Sequence, residues 1–253
     1  MNELLALMMS YHPLAAEQAE AAALVFLRVG AVMATLPAFG ETSVPARIRL
    51  VLALMFSAAL FPVAQPEMVD VPLVAGFAPE VLIGLVLGLM IRLFVLALVT
   101  AGTIAANATS LTQLFPAGAD AQPAVSKVLV MTGLALAVTS GLHLRVFDYL
   151  ILGYQLLPAG QWPTSDMIVN WGVLQVAHSF SLAFMIAMPC AIASLIYNLA
   201  LGVINRAMPQ LMVMFIGAPA LSLGGLTLIA LSTPLALMVW LQALNRFLAA
   251  PLP

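Results

Sequence analysis

The side chains that carry out chemistry in enzymes and metal sites are sparse in this chain. Its three histidines, His12, His143 and His178, are far apart, and none has a glutamate or cysteine at the spacing of metal ligands. No His-Glu-x-x-His, Gly-x-Ser-x-Gly or P-loop motif occurs. Ser140 and His143 are three residues apart but have no acidic partner beside them. The sequence therefore predicts no enzyme and no bound metal or cofactor.

The composition indicates a membrane protein. Of the 253 residues, 64% are hydrophobic and 7% are charged, and the mean hydropathy is +1.12. A soluble domain has about 25% charged residues. The net charge of −2 provides no basic surface, so the sequence also excludes nucleic acid as a partner.

The predicted elements are long apolar helices. An upright helix needs about 20 residues to cross a bilayer core, and the last two apolar stretches are about twice that length. Three prolines in these two stretches, Pro189, Pro219 and Pro234, predict bent or segmented helices. The fold class is thus an all-α, polytopic integral membrane protein of about six long, kinked apolar helices. The six stretches are residues 19–38, 45–63, 79–106, 123–144, 167–205 and 207–245.

One face of the third helix combines charged and small residues. Glu80, Gly84, Gly88 and Arg92 recur every four residues, so they lie on the same side of a helix. The glycines allow another helix backbone to approach closely, and charges in a membrane avoid lipid. We expect this face to contact protein, and specifically another subunit. The alternative is that Glu80 carries protons.

The sequence also predicts the environment of several single side chains. His178, in an apolar helix, is expected to be buried and hydrogen-bonded, and Cys190 to be an inert packed thiol. Tyr149, Tyr154 and Trp162 lie in the connection after the fourth helix, where aromatic rings suit a membrane interface.

The one long polar segment, residues 107–122, mixes polar and apolar side chains. From the residues alone it is either a plain connecting loop or a plug, since a plug needs apolar groups to seal and small residues to move. The candidate plug comprises Ser110, Leu111, Thr112, Gln113, Leu114, Phe115, Pro116, Ala117, Gly118, Ala119 and Asp120.

The last two apolar stretches form a helical hairpin whose polar elbow carries a recognisable pattern. By itself, such an elbow fits any membrane hairpin. However, Asn198-Leu199-Ala200-Leu201-Gly202, Asn205-Arg206-Ala207-Met208-Pro209-Gln210-Leu211 and Gly217-Ala218-Pro219 together resemble the FliR family of flagellar and type III secretion export-gate proteins. Met212 and Met214 depart from the Asn and Phe usual in that family. The elbow residues are Asn205, Arg206, Pro209, Gln210, Gly217 and Pro219.

The resemblance implies a non-enzymatic subunit of the gate through which unfolded flagellar proteins cross the bacterial inner membrane at the flagellar basal body. It implies FliP-like and FliQ-like partners, with FlhB- and FlhA-like proteins nearby. It further implies that residues 1–166 play a FliP-like part, that residues 167–253 form a FliQ-like hairpin, and that residues 110–120 plug the channel.

Two other classes of function compete with this reading. A secondary transporter or channel for a small solute has broken helices, as here, but also needs paired ionisable groups at mid-membrane, which the sequence does not supply. An intramembrane enzyme needs a nucleophile and a base placed together, and that requirement is not met.

Overall fold

The computed structural model describes residues 2–41, 44–68, 71–109, 122–208 and 213–251. Within these ranges the regular structure is entirely α-helical. The helices are α1 (Asn2–Thr35), α2 (Ala46–Met68), α3 (Leu73–Ala108), α4 (Ala124–Thr139), α5 (Leu142–Leu156), α6 (Ser165–Ala207) and α7 (Val213–Ala249).

Five of these helices are long and apolar enough to cross a membrane, or six spans result if α4 and α5 count as one broken span. The break between α4 and α5 lies at Gly141, whose φ of 87° is in the left-handed region that glycine adopts without steric cost. The predicted all-α membrane fold of about six spans is confirmed.

Helix boundaries differ from the sequence prediction where prolines or polar residues suggested an end. α2 continues through Pro62 to Met68, and α3 begins at Leu73, six residues before the predicted start at Pro79. α6 and α7 are each one helix through their internal prolines, so they are not segmented, and their predicted bending stays a prediction. A proline removes one backbone hydrogen bond, and the long apolar helices continue despite that loss.

The stretch after the fourth predicted helix is also different. Residues 145–156 belong to α5 rather than to an interfacial loop. Tyr149 is 0% exposed and Tyr154 is 3% exposed, so both are core residues, whereas Trp162 is exposed. The interfacial assignment of the two tyrosines is therefore wrong.

The first of two compact units comprises Met1–Arg92, Gly141–Val173 and Phe247–Pro253. Aromatic side chains join its parts. The Tyr149 hydroxyl donates a hydrogen bond to the Leu87 carbonyl oxygen at 3.2 Å. Trp171 stacks on Phe247, and its Nε1 donates to the Pro251 carbonyl oxygen at 2.7 Å. Each polar atom of these rings is thus satisfied by backbone, as burial of tyrosine and tryptophan requires.

The second compact unit comprises Leu93–Ser140 and Leu174–Arg246. Trp240 is its largest buried side chain, and Trp240 Nε1 donates to the Phe94 carbonyl oxygen at 2.8 Å. Ser179 donates to the Leu93 carbonyl oxygen at 2.8 Å, which ties α6 to α3. The core of this unit therefore combines apolar packing with side-chain bonds to helix backbone.

Candidate functional site

A buried ion pair lies in the interior of the first unit. Arg28 of α1 and Glu80 of α3 are both 0% exposed. Arg28 Nε lies 2.6 Å from Glu80 Oε2, and Arg28 Nη2 donates to Glu80 Oε1 at 2.9 Å. This two-pronged geometry is the strongest pairing available between a guanidinium and a carboxylate.

The pair also forms hydrogen bonds with α5 and with the loop that follows it. Arg28 Nη1 donates to the Leu157 carbonyl oxygen at 3.0 Å, and the Gly160 N–H donates to Glu80 Oε1 at 2.8 Å. The Tyr154 ring centroid lies 4.0 Å from the guanidinium carbon of Arg28. The pair thus fastens α1, α3 and the loop at 157–160 to one another.

Gly160 is the residue that lets the loop reach Glu80. Its φ of 68° is left-handed, and a β-carbon there would collide with the side chain of Val71. Only glycine combines this backbone conformation with this close approach at no steric cost.

The face of α3 predicted from sequence lies against α1 of the same chain. A β-carbon at Gly84 would collide with the Arg28 carbonyl oxygen, and one at Gly88 would collide with the Thr35 side chain. Arg92 Nη1 lies 3.5 Å from the Thr35 carbonyl oxygen. The glycines therefore allow a close helix contact within the chain. A contact of this face with another subunit stays a prediction.

Arg28 is the partner that the sequence prediction missed. The signal was present, because Arg28 and Glu80 are opposite charges in apolar helices and each is costly in a membrane without a partner. The two residues are 52 positions apart, and helical periodicity relates residues only within one helix.

The candidate plug, residues 110–120, lies outside the described residues, and Thr109 and Ser126 on either side of it belong to the second unit. Thr109 is buried beside Gly225 of α7, where a β-carbon would collide with it. On the other side, Ser126 Oγ donates to the Val99 carbonyl oxygen at 2.8 Å. A β-carbon at Gly102 would meet the Ser126 backbone at 2.5 Å. Thr109 thus packs on α7, and Ser126 is bonded to α3.

The elbow is described in part. Asn205 and Arg206 lie exposed at the end of α6, whereas Pro209 and Gln210 lie outside the described residues. Gly217 is buried in α7, and Pro219 is exposed in the same helix. The Tyr197 hydroxyl donates to the Gly217 carbonyl oxygen at 2.8 Å. This bond between the two arms was not predicted from sequence.

Residues with potential for chemistry are not assembled into a site in the described part of the chain. No group of three or more His, Cys, Asp or Glu side chains there is placed to hold a metal. Ser140 Oγ donates to the Ala137 carbonyl oxygen. His178 is exposed and meets Phe94 edge-on at 6.2 Å between ring centroids, so its predicted burial is wrong. Cys190 is buried, as predicted.

Comparison with known proteins gives a consistent result. Residues 19–247 match the family described as bacterial export proteins, family 1. The flagellar biosynthetic protein FliR of Caulobacter vibrioides is 36% identical over 239 residues, which cover 91% of this chain and 95% of that protein. The protein of the same name from Escherichia coli is 34% identical over 221 residues, 83% of this chain and 82% of that protein. The one from Aquifex aeolicus is 30% identical over 226 residues, 84% of each.

The family match and these alignments both extend over most of the chain. The family match, over residues 19–247, includes the third helix with Glu80 and the elbow region that carried the resemblance in sequence. This chain is accordingly a member of family 1 of the bacterial export proteins, the FliR family.

Proposed function

We propose that this chain forms part of the wall of the flagellar export gate and that sister subunits cover the apolar faces it leaves exposed. Membership of the FliR family makes it a non-enzymatic component of the flagellar export apparatus. The observation that carries the proposal is the exposed apolar surface of α6 and α7. In the apolar 18-residue stretch that qualifies each helix as a membrane span, only 33% is buried within the chain in α6 and only 17% in α7.

The chemistry of this surface suits packing against other helices. Between residues 167 and 245 the only formal charge is Arg206, and large side chains such as Leu195, Leu199 and Leu231 are more than half exposed. Apolar helices that bury such side chains gain about 25 cal/mol for each Å² removed from water. Where lipid is the alternative environment, close packing between helices supplies the attraction instead.

The sister subunits in this proposal are FliP-like and FliQ-like proteins, with FlhB- and FlhA-like export proteins adjoining. Residues 1–166 act as the FliP-like part, and residues 167–253 act as the FliQ-like hairpin. The assembly stands in the bacterial inner membrane at the flagellar basal body, and unfolded flagellar proteins pass through it. The several membrane-spanning helices of this chain and its family support this placement.

Residues 110–120 close the channel in this proposal. Support comes from the composition, which places Leu111, Leu114 and Phe115 among small and polar residues. Support also comes from the described residues on either side, because Thr109 packs against α7 and Ser126 bonds to α3.

A secondary transporter for a small solute is not favoured. Such a protein needs ionisable groups that are free to bind its substrate or coupling ion. Arg28 and Glu80 instead bind each other, the Leu157 carbonyl oxygen and the Gly160 N–H. These bonds occupy the groups that a solute or ion would use.

The experiment that tests this function compares the intact gate with a variant in which residues 110–119 are shortened. The complex containing this chain is purified, imaged to verify its subunits, and reconstituted for measurement of ion conductance. We expect FliP-like and FliQ-like subunits to co-purify, a closed wild-type channel, and a leaky variant. A second variant carries a Gly-Ser linker of equal length, which keeps the connection and removes the sealing side chains.

Unaltered conductance of both variants in an imaged complex would contradict the plug. A chain that purifies alone and moves a small solute after reconstitution would contradict the gate itself. The two failures are distinguishable, because the first leaves the co-purifying subunits in place.

A further inference from the structure

A groove of about 230 Å³ lies between α1 and the first turns of α2, in the first compact unit. Its lining is apolar except for one guanidinium group. α1 contributes Phe26, Gly30 and Met33, and α2 contributes Arg49, Leu50 and Ala53. The next residues of α2, Leu54 and Met55, are at least half exposed.

One hydrogen-bond donor of Arg49, which lines this groove, lacks an acceptor. Its Nε is buried and has no hydrogen-bond partner among the described residues. Neither Arg49 nor its neighbour Arg47 forms an ion pair within the described part of the chain, although Glu41 stands close in sequence. A buried donor without a partner destabilises a protein by about 1–3 kcal/mol, and more when the group is charged. Arg49, a half-buried residue of this groove, therefore has hydrogen-bonding capacity that the described residues do not use.

The surroundings of Arg49 favour an anion. α2 begins at Ala46 and has no acidic residue in its first turn. The N–H groups at a helix N-terminus carry partial positive charge and attract phosphate and carboxylate groups. Arg47 is exposed in the same turn and adds a second positive charge.

We propose that this groove binds an anionic phospholipid, with the lipid phosphate on Arg49 and an acyl chain along the apolar lining. A planar guanidinium pairs with phosphate through two parallel hydrogen bonds. Free phosphate gains nothing from Phe26, Met33 and Leu50, and an acidic peptide gains little from them. A phospholipid matches both the charged end and the apolar length of the groove. The bound lipid seals the gap between α1 and α2 in the membrane.

The test uses the intact complex that contains this chain. Dioleoyl phosphatidylglycerol or dioleoyl phosphatidylcholine is titrated into the detergent-solubilised complex, and native mass spectrometry measures the bound lipid. We expect the phosphatidylglycerol to bind in preference to the zwitterionic lipid. Arg49→Gln should weaken that binding about five-fold, the amount expected for one basic residue at an anionic membrane surface.

A second variant fills the groove without touching the charge. A β-carbon at Gly30 has no heavy atom within 4 Å, so Gly30→Leu should be accommodated and should displace the acyl chain. Arg246→Gln, which removes an exposed charge at the far end of α7, is the control for Arg49→Gln. This control should bind phosphatidylglycerol as the unmodified complex does.

Three outcomes would overturn the proposal. Equal binding of phosphatidylglycerol and phosphatidylcholine by the unmodified complex would exclude recognition of the anionic lipid. This comparison does not depend on any variant. Displacement of phosphatidylglycerol by inorganic phosphate would show that the anion alone is recognised. An image of the complex with a sister subunit's side chains in the groove would show that protein occupies it.

Discussion

The region around Arg28 and the hairpin of α6 and α7 place their polar and apolar groups in opposite ways. Around Arg28, two charges are fully buried and bound to each other and to backbone. In the hairpin, charges are almost absent, and Leu231, Leu235 and Met238 are all at least 60% exposed. The polar groups of the first region find their hydrogen-bond partners within the chain. The apolar side chains of the second region need another molecule to cover them. Stability and assembly should therefore depend on different residues.

The largest expected effect on stability follows from breaking the buried pair. Glu80→Leu leaves the Arg28 guanidinium buried without its counter-charge, and removal of one partner of such a pair costs about 3–5 kcal/mol. The free energy of unfolding of the purified chain in detergent, measured by titration with sodium dodecyl sulfate, should fall by that amount. Glu17→Leu, at an exposed position of α1, should change it by less than about 0.5 kcal/mol.

The double variant Arg28→Leu with Glu80→Leu sharpens this test. It removes both charges, so it should recover part of the stability lost in Glu80→Leu. A double variant as unstable as the single one would mean that the hydrogen bonds to Leu157 and Gly160, rather than the charges, hold this region together.

Replacing glycine by alanine should change the free energy of unfolding in opposite directions at two positions, Gly84 and Gly224. Both changes should be smaller than the effect of Glu80→Leu. At Gly84 the new β-carbon meets the α1 backbone, which cannot yield as a side chain can, so Gly84→Ala should lower the free energy of unfolding by about 1–3 kcal/mol. At Gly224 of α7 no heavy atom lies within 4 Å, and alanine favours a helix by up to about 1 kcal/mol over glycine. The same unfolding titration measures both. Equal effects at the two positions would contradict the close α1–α3 contact.

The sequence was sufficient for those features that depend on local pattern. Apolar length predicted the spanning helices, and Asn205 and Arg206 correctly marked the end of α6. Residue spacing placed Gly84 and Gly88 on one face, and that face is where α1 approaches. These features depend on residues within a few turns of each other, which a period or an average can detect.

Features that depend on distant residues were missed. Tyr149 was predicted to lie at a membrane interface because aromatic rings suit that position, whereas its hydroxyl binds the Leu87 carbonyl oxygen, 62 positions away. Arg28 and Glu80 likewise meet across 52 positions. A buried polar group is stable only when its partner is in place, and the sequence around each group does not identify that partner. Hydropathy is high for helices buried in protein and for helices exposed to lipid alike. It therefore could not distinguish α3, whose apolar 18-residue stretch is 56% buried within the chain, from α7, where the figure is 17%.

The smallest expected effect on the isolated chain concerns the exposed stripe of α7. Leu231 and Leu235 are 75% and 69% exposed, so Leu231→Ala with Leu235→Ala removes contacts that the chain does not make with itself. Each change should alter the free energy of unfolding by less than about 0.5 kcal/mol. Leu237→Ala, a fully packed position on the other side of the same helix, should lower it by about 2–5 kcal/mol.

The variant Leu231→Ala with Leu235→Ala should nevertheless weaken assembly, because the lost methyl groups would have packed against a sister subunit. The amount of this chain that co-purifies with the gate, normalised to the amount in the membrane, measures that loss. Normal co-purification of the Leu231 and Leu235 variant would mean that lipid, rather than protein, covers this stripe. The partner-covered surface would then have to lie on another face of the hairpin, and the contrast between the two regions would no longer separate stability from assembly.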